Sequence, residues 1–94
     1  MKVNHLMPIA SINTLGITYC CPTVNGENLF TVKSDVSAAD ALEHASILQD
    51  CVNQLMAGVA LGTPSPHAAL AAMYLGQMAK ALLDDVAYAI ATPR

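Results

Sequence analysis

Apolar residues recur through the second half of the chain with a strict alternation of spacings. Ala41, Ala45, Leu48, Val52, Leu55 and Val59 step by 4, 3, 4, 3 and 4, and Ala68, Ala72, Leu75, Ala79, Leu82, Val86 and Ala89 repeat the pattern. A hydrophobic period near 3.5 residues predicts two α-helices, each with one seam to bury. Asp40, Glu43, Asp50 and Asn53 fall off the first seam, as a wet face requires. Ser37-Ala38-Ala39-Asp40 is close to a capping box, so the Ser37 hydroxyl is expected to accept an orphan amide at the start of helix one. Gly62 is a natural stop, Ser65-Pro66 reads as an N-cap with proline at the first helical position, and Thr92-Pro93 ends helix two. At 1.5 Å per residue each helix is about 35–40 Å long. The short connection makes them antiparallel neighbours, a helical hairpin.

The pattern is different before residue 37. Residues 1–36 are rich in Gly, Asn, Thr and Pro, while 37–91 form the helical part. Asn25-Gly26 is a strong hairpin signal, predicting a two-residue turn with positive φ at both positions. Ile17-Thr18-Tyr19-Cys20 and Leu29-Phe30-Thr31-Val32 would be its arms, with Pro22 limiting the first arm to an edge or irregular strand. An isolated two-stranded hairpin is marginal in water, so it must lie on the helices or pair with another chain. The first dozen residues are expected to be loose. The fold class is therefore mainly α: an antiparallel helical hairpin with a short N-terminal β-hairpin.

Composition sharpens this picture. Of 94 residues, 54% are hydrophobic and only 12% charged, which excludes disorder. Four Lys+Arg against seven Asp+Glu cannot neutralise a phosphate backbone, so nucleic acid is not an expected partner. No formal charge falls between Cys51 and Ala79, but Asn53, Gln54, Thr63-Pro64-Ser65-Pro66 and His67 interrupt that stretch, so no membrane span is expected. Asn4, His5, Pro8 and Asn13 break up any signal-peptide core at the start of the chain. Three cysteines without a paired framework suit reduced thiols in a cytoplasm.

The seams do not exhaust the apolar residues. Leu42, Ile47, Cys51 and Met56 on helix one, and Leu70, Met73, Tyr74, Met78, Leu83, Tyr88 and Ile90 on helix two, would leave a large wet apolar patch on a monomer. The economical solution is a homodimer in which two hairpins form a four-helix bundle. Its expected interface is Leu48, Val52, Leu55, Leu75, Leu82 and Val86, with the small ladder Ala68, Ala72 and Gly76 admitting a close helix. Tyr74, Met78 and Tyr88 form an amphipathic stripe suited to a different protein partner.

Candidate chemistry is sparse. Cys20, Cys21, Cys51, His44 and His67 match no metal-ligand spacing, so no metal or cofactor is expected, and His44 reads as a surface partner of Asp40. No nucleophile stands beside a base with a third group to orient it, and there is no phosphate-binding glycine loop, so no catalytic residue is assigned. Asp84 reads as an ion-pair partner of Lys80. Asp85 falls near the Tyr74–Met78–Ala81–Tyr88 stripe, where its charge would be partly buried against a Tyr or a partner. The functional expectation is a non-enzymatic, homodimeric protein-interaction module. The alternative is a binder of a small apolar ligand, with a pocket between the helices closed by the N-terminal hairpin.

Asp40-Ala41-Leu42-Glu43-His44-Ala45-Ser46 and Leu75-Gly76-Gln77-Met78-Ala79-Lys80-Ala81-Leu82-Leu83-Asp84-Asp85 resemble blocks of a bacterial, mostly pseudomonad, family of short helical proteins built on a domain of unknown function. The resemblance runs over residues 29–87, with 1–28 outside it. The chain departs from the family pattern at Ala69, where a Trp is expected, and at Thr63-Pro64-Ser65-Pro66. The resemblance implies a cytoplasmic helical hairpin and brings no catalytic residue. By analogy of size and architecture with quorum-sensing antiactivators, the expected outside partner is a transcription regulator.

Overall fold

The computed structural model describes residues 9–62 and 65–92. A 3-10 turn, Ile9–Ser11, leads into two short strands, β1 (Tyr19–Pro22) and β2 (Asn28–Thr31), and then two long helices, α1 (Ala38–Ala60) and α2 (Pro66–Ala91). The strands pair antiparallel with Tyr19 opposite Thr31, Cys20 opposite Phe30 and Pro22 opposite Asn28. The helices pack on each other, as their matching seams require. Every seam residue of both helices is buried or half-buried, while Asp40, Glu43, Asp50 and Asn53 are exposed.

Helix ends follow their local chemistry with one exception. The Ser65 hydroxyl accepts from the Ala68 amide at 3.0 Å and Pro66 occupies the first turn of α2. Gly62 closes α1 at φ 79°, where a residue with a Cβ is disfavoured. At the start of α1, however, the Ser37 side chain makes no capping bond. The Ala38 amide donates instead to the Ile12 carbonyl at 2.8 Å, because the N-terminal segment runs alongside and Asn13 bridges to Ser37. Backbone thus replaces the expected side-chain cap.

The β-hairpin turn also differs from expectation. Thr23 N–H donates to Glu27 O, and Gly26 N–H to Thr23 O, so the loop is three residues long rather than two. Gly26 has a positive φ and Asn25 does not. A turn followed by a left-handed glycine suits this longer connection, and only its last position needs positive φ.

The core lies at one end of the molecule. Ile12, Ala38, Ala41, Val86 and Ala89 form one buried cluster; Cys20, Cys21, Val32 and Ala81 form another, with Leu82 packed against both. Ile12 is therefore an anchor, contrary to the expectation of a loose first dozen; residues 1–8 of that expectation lie outside the described residues. All three buried residues of α1, Ala38, Ala41 and Ala45, fall in its first third. Toward the inter-helix turn the two helices lie side by side without a third layer, and Ile47, Met56, Leu70, Met73 and Tyr74 are exposed.

The two caps separate experimentally. Ser65→Ala removes a made hydrogen bond and is expected to cost about 1 kcal/mol, roughly 4–8 °C in thermal midpoint for a chain of this size. Ser37→Ala is expected to leave the midpoint within about 1 °C, well inside the surface-substitution range. Thermal melts of both variants check this.

Candidate functional site

The N-terminal segment is tied to the helices by two buried polar groups. Thr14 joins the segment to the chain just before α1: its N–H donates to Val36 O, its carbonyl accepts from Asp35 N–H, and its hydroxyl donates to Lys33 O and accepts from Val36 N–H. Asp85, on α2, is fully buried. Its carboxylate accepts from the amides of Leu15 at 2.6 Å, Ile17 at 2.9 Å and Thr18 at 3.3 Å. The Thr18 hydroxyl lies 3.3 Å from the same carboxylate and donates to the Ala81 carbonyl at 2.6 Å.

Nearly successive amides can converge on one anion only if the backbone curls into a nest. Gly16 supplies the curl with φ 76°, and a Cβ placed there would lie 2.9 Å from the Ser34 Cβ. Asp85 therefore meets backbone, where the sequence suggested a Tyr or a partner. Charge-assisted bonds to several amides offset the cost of taking a carboxylate out of water. Asp84, one position on, forms the expected exposed ion pair with Lys80 at 2.7 Å.

The segment held in this way roofs a groove. A cavity of about 650 Å³ opens between β2, the first half of α1 and the middle of α2. Val32, Ala41, Leu48, Met78, Ala81 and Leu82 line its apolar part, and Lys33, Asp40 and His44 stand among its polar groups. His44 and Asp40 thus share the groove without the direct pairing expected of them.

Cys20 also lines the groove. Burial, and then the hydrogen bond and charge of the adjacent Cys21, push its thiol pKa up, so it remains a protonated, weak nucleophile at neutral pH. Cys21 adopts φ 62° and its amide donates to the Gln77 side-chain oxygen at 2.8 Å, which fastens β1 to α2. All three cysteines are free, and Cys51 is exposed. Among the described residues no group of three or more His, Cys, Asp or Glu could hold a metal ion.

The structure sorts the other singled-out residues. Leu48, Val52, Leu55, Leu75 and Leu82 are half-buried and Val86 is buried. Val86 is buried in the core, and Leu82 bridges the two clusters. Of the ladder Ala68, Ala72 and Gly76, Gly76 faces α1: a Cβ there would lie 3.9 Å from Val52. Met78 packs against the Cys20–Val32 cluster, so the Tyr74–Met78–Tyr88 stripe is interrupted. Tyr74 and Tyr88 are exposed on either side of it, about 21 Å apart along the helix. Thr14, Thr18 and Gln77 carry the segment's attachment and had no signal in the sequence beyond residue type.

Residues 14–89 match the family described as protein of unknown function (DUF3077), and the chain belongs to that family. The match begins at Thr14, ahead of the expected start of the resemblance at residue 29, and so includes the nest as well as the helices. No curated protein and no solved structure matches the chain. No helix among the described residues is long and apolar enough to cross a membrane.

Asp85→Asn offers one acceptor oxygen and one amino group to a nest of N–H donors. It is expected to destabilise the fold by about 2–4 kcal/mol, read from urea unfolding, whereas Asp84→Asn is expected to change it by less than about 0.5 kcal/mol. In the native protein an aromatic disulfide reagent is expected to modify Cys51 quickly, Cys20 slowly through the groove and Cys21 only at the rate of opening. Fast reaction of all three thiols would contradict the burial of the pair.

Proposed function

We propose that this family member is a non-enzymatic, homodimeric protein-interaction module of the reducing cytoplasm. In this reading the uncovered parts of two helical hairpins pack together as a four-helix bundle, and the assembly binds another protein such as a transcription regulator. The observation that carries it is the missing third layer on the half of the helical hairpin nearest the inter-helix turn. There Ile47 is 51% exposed, Met73 50% and Tyr74 43%, on helices whose own seam is already made. Large apolar side chains half in water on several flanks favour burial against another surface. Ile47 and Cys51 continue the flank of α1 that carries Asp40 and His44, and Tyr74 lies one turn before Met78, so this surface is continuous with the apolar groove. The free thiols suit a reducing compartment. For the outside partner, Tyr74 and Tyr88 are the accessible aromatic anchors.

A second reading has an observation of its own. The groove's volume of about 650 Å³ falls within the range of small-molecule sites, and its lining is mostly apolar with a few polar groups. A small apolar ligand held between the helices under the β-hairpin would use Met78, Leu48 and Val32. Tyr88 is not part of that lining.

Leu82 packs against both core clusters, so Leu82→Asp reports on folding as much as on assembly. Met73→Asp and Ile47→Asp are the better probes. Native mass spectrometry under reducing conditions is expected to show twice the 9.8 kDa chain mass for the unaltered protein. A Met73→Asp, Ile47→Asp double variant is expected to run mainly as monomer with unchanged helical circular dichroism. A monomeric unaltered protein overturns the dimer, and a mass carrying a small organic adduct moves the ligand reading ahead of it.

A further inference from the structure

The β-hairpin is held by only one of its edges. Cys21 N–H donates to Gln77 and the Thr18 hydroxyl to Ala81 O, so the β1 side is fastened to α2. All four residues of β2 are exposed, with Leu29 63% and Phe30 50% accessible. Val32 N–H donates inward to Thr18 O. By the alternation of an antiparallel ladder, the backbone groups of Phe30 also face β1, and those of Leu29 and Thr31 face outward. Native edges are usually blunted by charge, proline or a covering element. The segment Asn28-Leu29-Phe30-Thr31-Val32 has no charge and no proline.

We propose that this edge is a self-pairing site, where β2 of one copy joins β2 of a second copy antiparallel about a two-fold axis at Phe30. The proposal rests on the homodimer reading and adds a contact on a different surface from the helix flanks. Three features single out a second copy as the occupant. The outward-facing residues Leu29 and Thr31 are symmetric about Phe30, so each Leu29 meets a Thr31 and exchanges both backbone bonds, four in all. The two Phe30 side chains become a directly opposed, closely spaced pair on the groove side of the sheet, since Phe30 lines the groove. Continuing the register outward places Glu27 of each copy opposite Lys33 of the other. An in-register parallel pairing would set like charges together. The two-stranded ribbon thereby becomes a four-stranded sheet, and each copy contributes an aromatic ring to the rim of its neighbour's groove.

Amide hydrogen exchange, followed as the chain is concentrated, tests this without any substitution. The Leu29 and Thr31 amides are expected to gain at least tenfold protection in step with the assembled mass. Leu29→Pro removes one outward N–H without touching the ladder to β1 and is expected to abolish that protection. Lys33→Glu is expected to weaken self-association about three- to tenfold, and adding Glu27→Lys to restore it. If the chain assembles while these amides exchange as freely as in the dilute protein, the edge pairing is wrong and the helical contact stands alone. If no assembled species forms at any concentration, the homodimer reading fails with it.

Discussion

The fold turns on one buried carboxylate. Asp85 projects from α2 into a curl of backbone that would otherwise leave the amides of Leu15, Ile17 and Thr18 without acceptors. Neither half is tolerable alone: an uncompensated carboxylate and three orphan amides are each costly in an apolar setting. Together they fix where the N-terminal segment crosses the helices, and the rest follows from that crossing. Ile12 is set against Ala38, Val86 and Ala89; its carbonyl caps α1; and the β-hairpin is laid over α2 to roof the groove.

This division of labour explains the uneven core. Small residues on both helices let them approach closely, but a two-helix layer cannot bury its own flanks. The segment before α1 supplies the third layer at one end, through Ile12, Cys20, Cys21 and Val32. At the other end nothing in the described chain does so. The exposed Ile47, Met73 and Tyr74, the open groove and the outer edge of β2 share one cause among the described residues: no third layer covers them.

Thr14 and Thr18 show how a short irregular segment can be held without regular structure. Thr14 is buried and Thr18 half-buried, and each has one hydroxyl that satisfies a backbone group far away in sequence, Lys33 O for Thr14 and Ala81 O for Thr18. Gly16 between them is the one position where the curl demands positive φ and closeness to Ser34 forbids a side chain. Membership of the family over residues 14–89 takes in this whole arrangement, nest and helices alike.

The helices, their antiparallel pairing, the caps at Gly62 and Ser65-Pro66 and the existence of a β-hairpin were legible because each depends on neighbours within a few residues. A 4,3 spacing identifies a seam wherever the helix ends up. What that seam packs against is not local: Leu48, Val52, Leu75 and Val86 read equally well against the chain's own second helix or against a second copy, and within one chain Val86 enters the core while Val52 lies beside Gly76. The same holds for Asp85, whose partners lie about seventy positions away, and for Ser37, whose capping role passed to the Ile12 carbonyl. Periodicity and turn chemistry determined the elements by themselves. Only the folded chain decided which polar group meets which, because a buried charge takes its partners from whatever backbone the packing brings within hydrogen-bond reach.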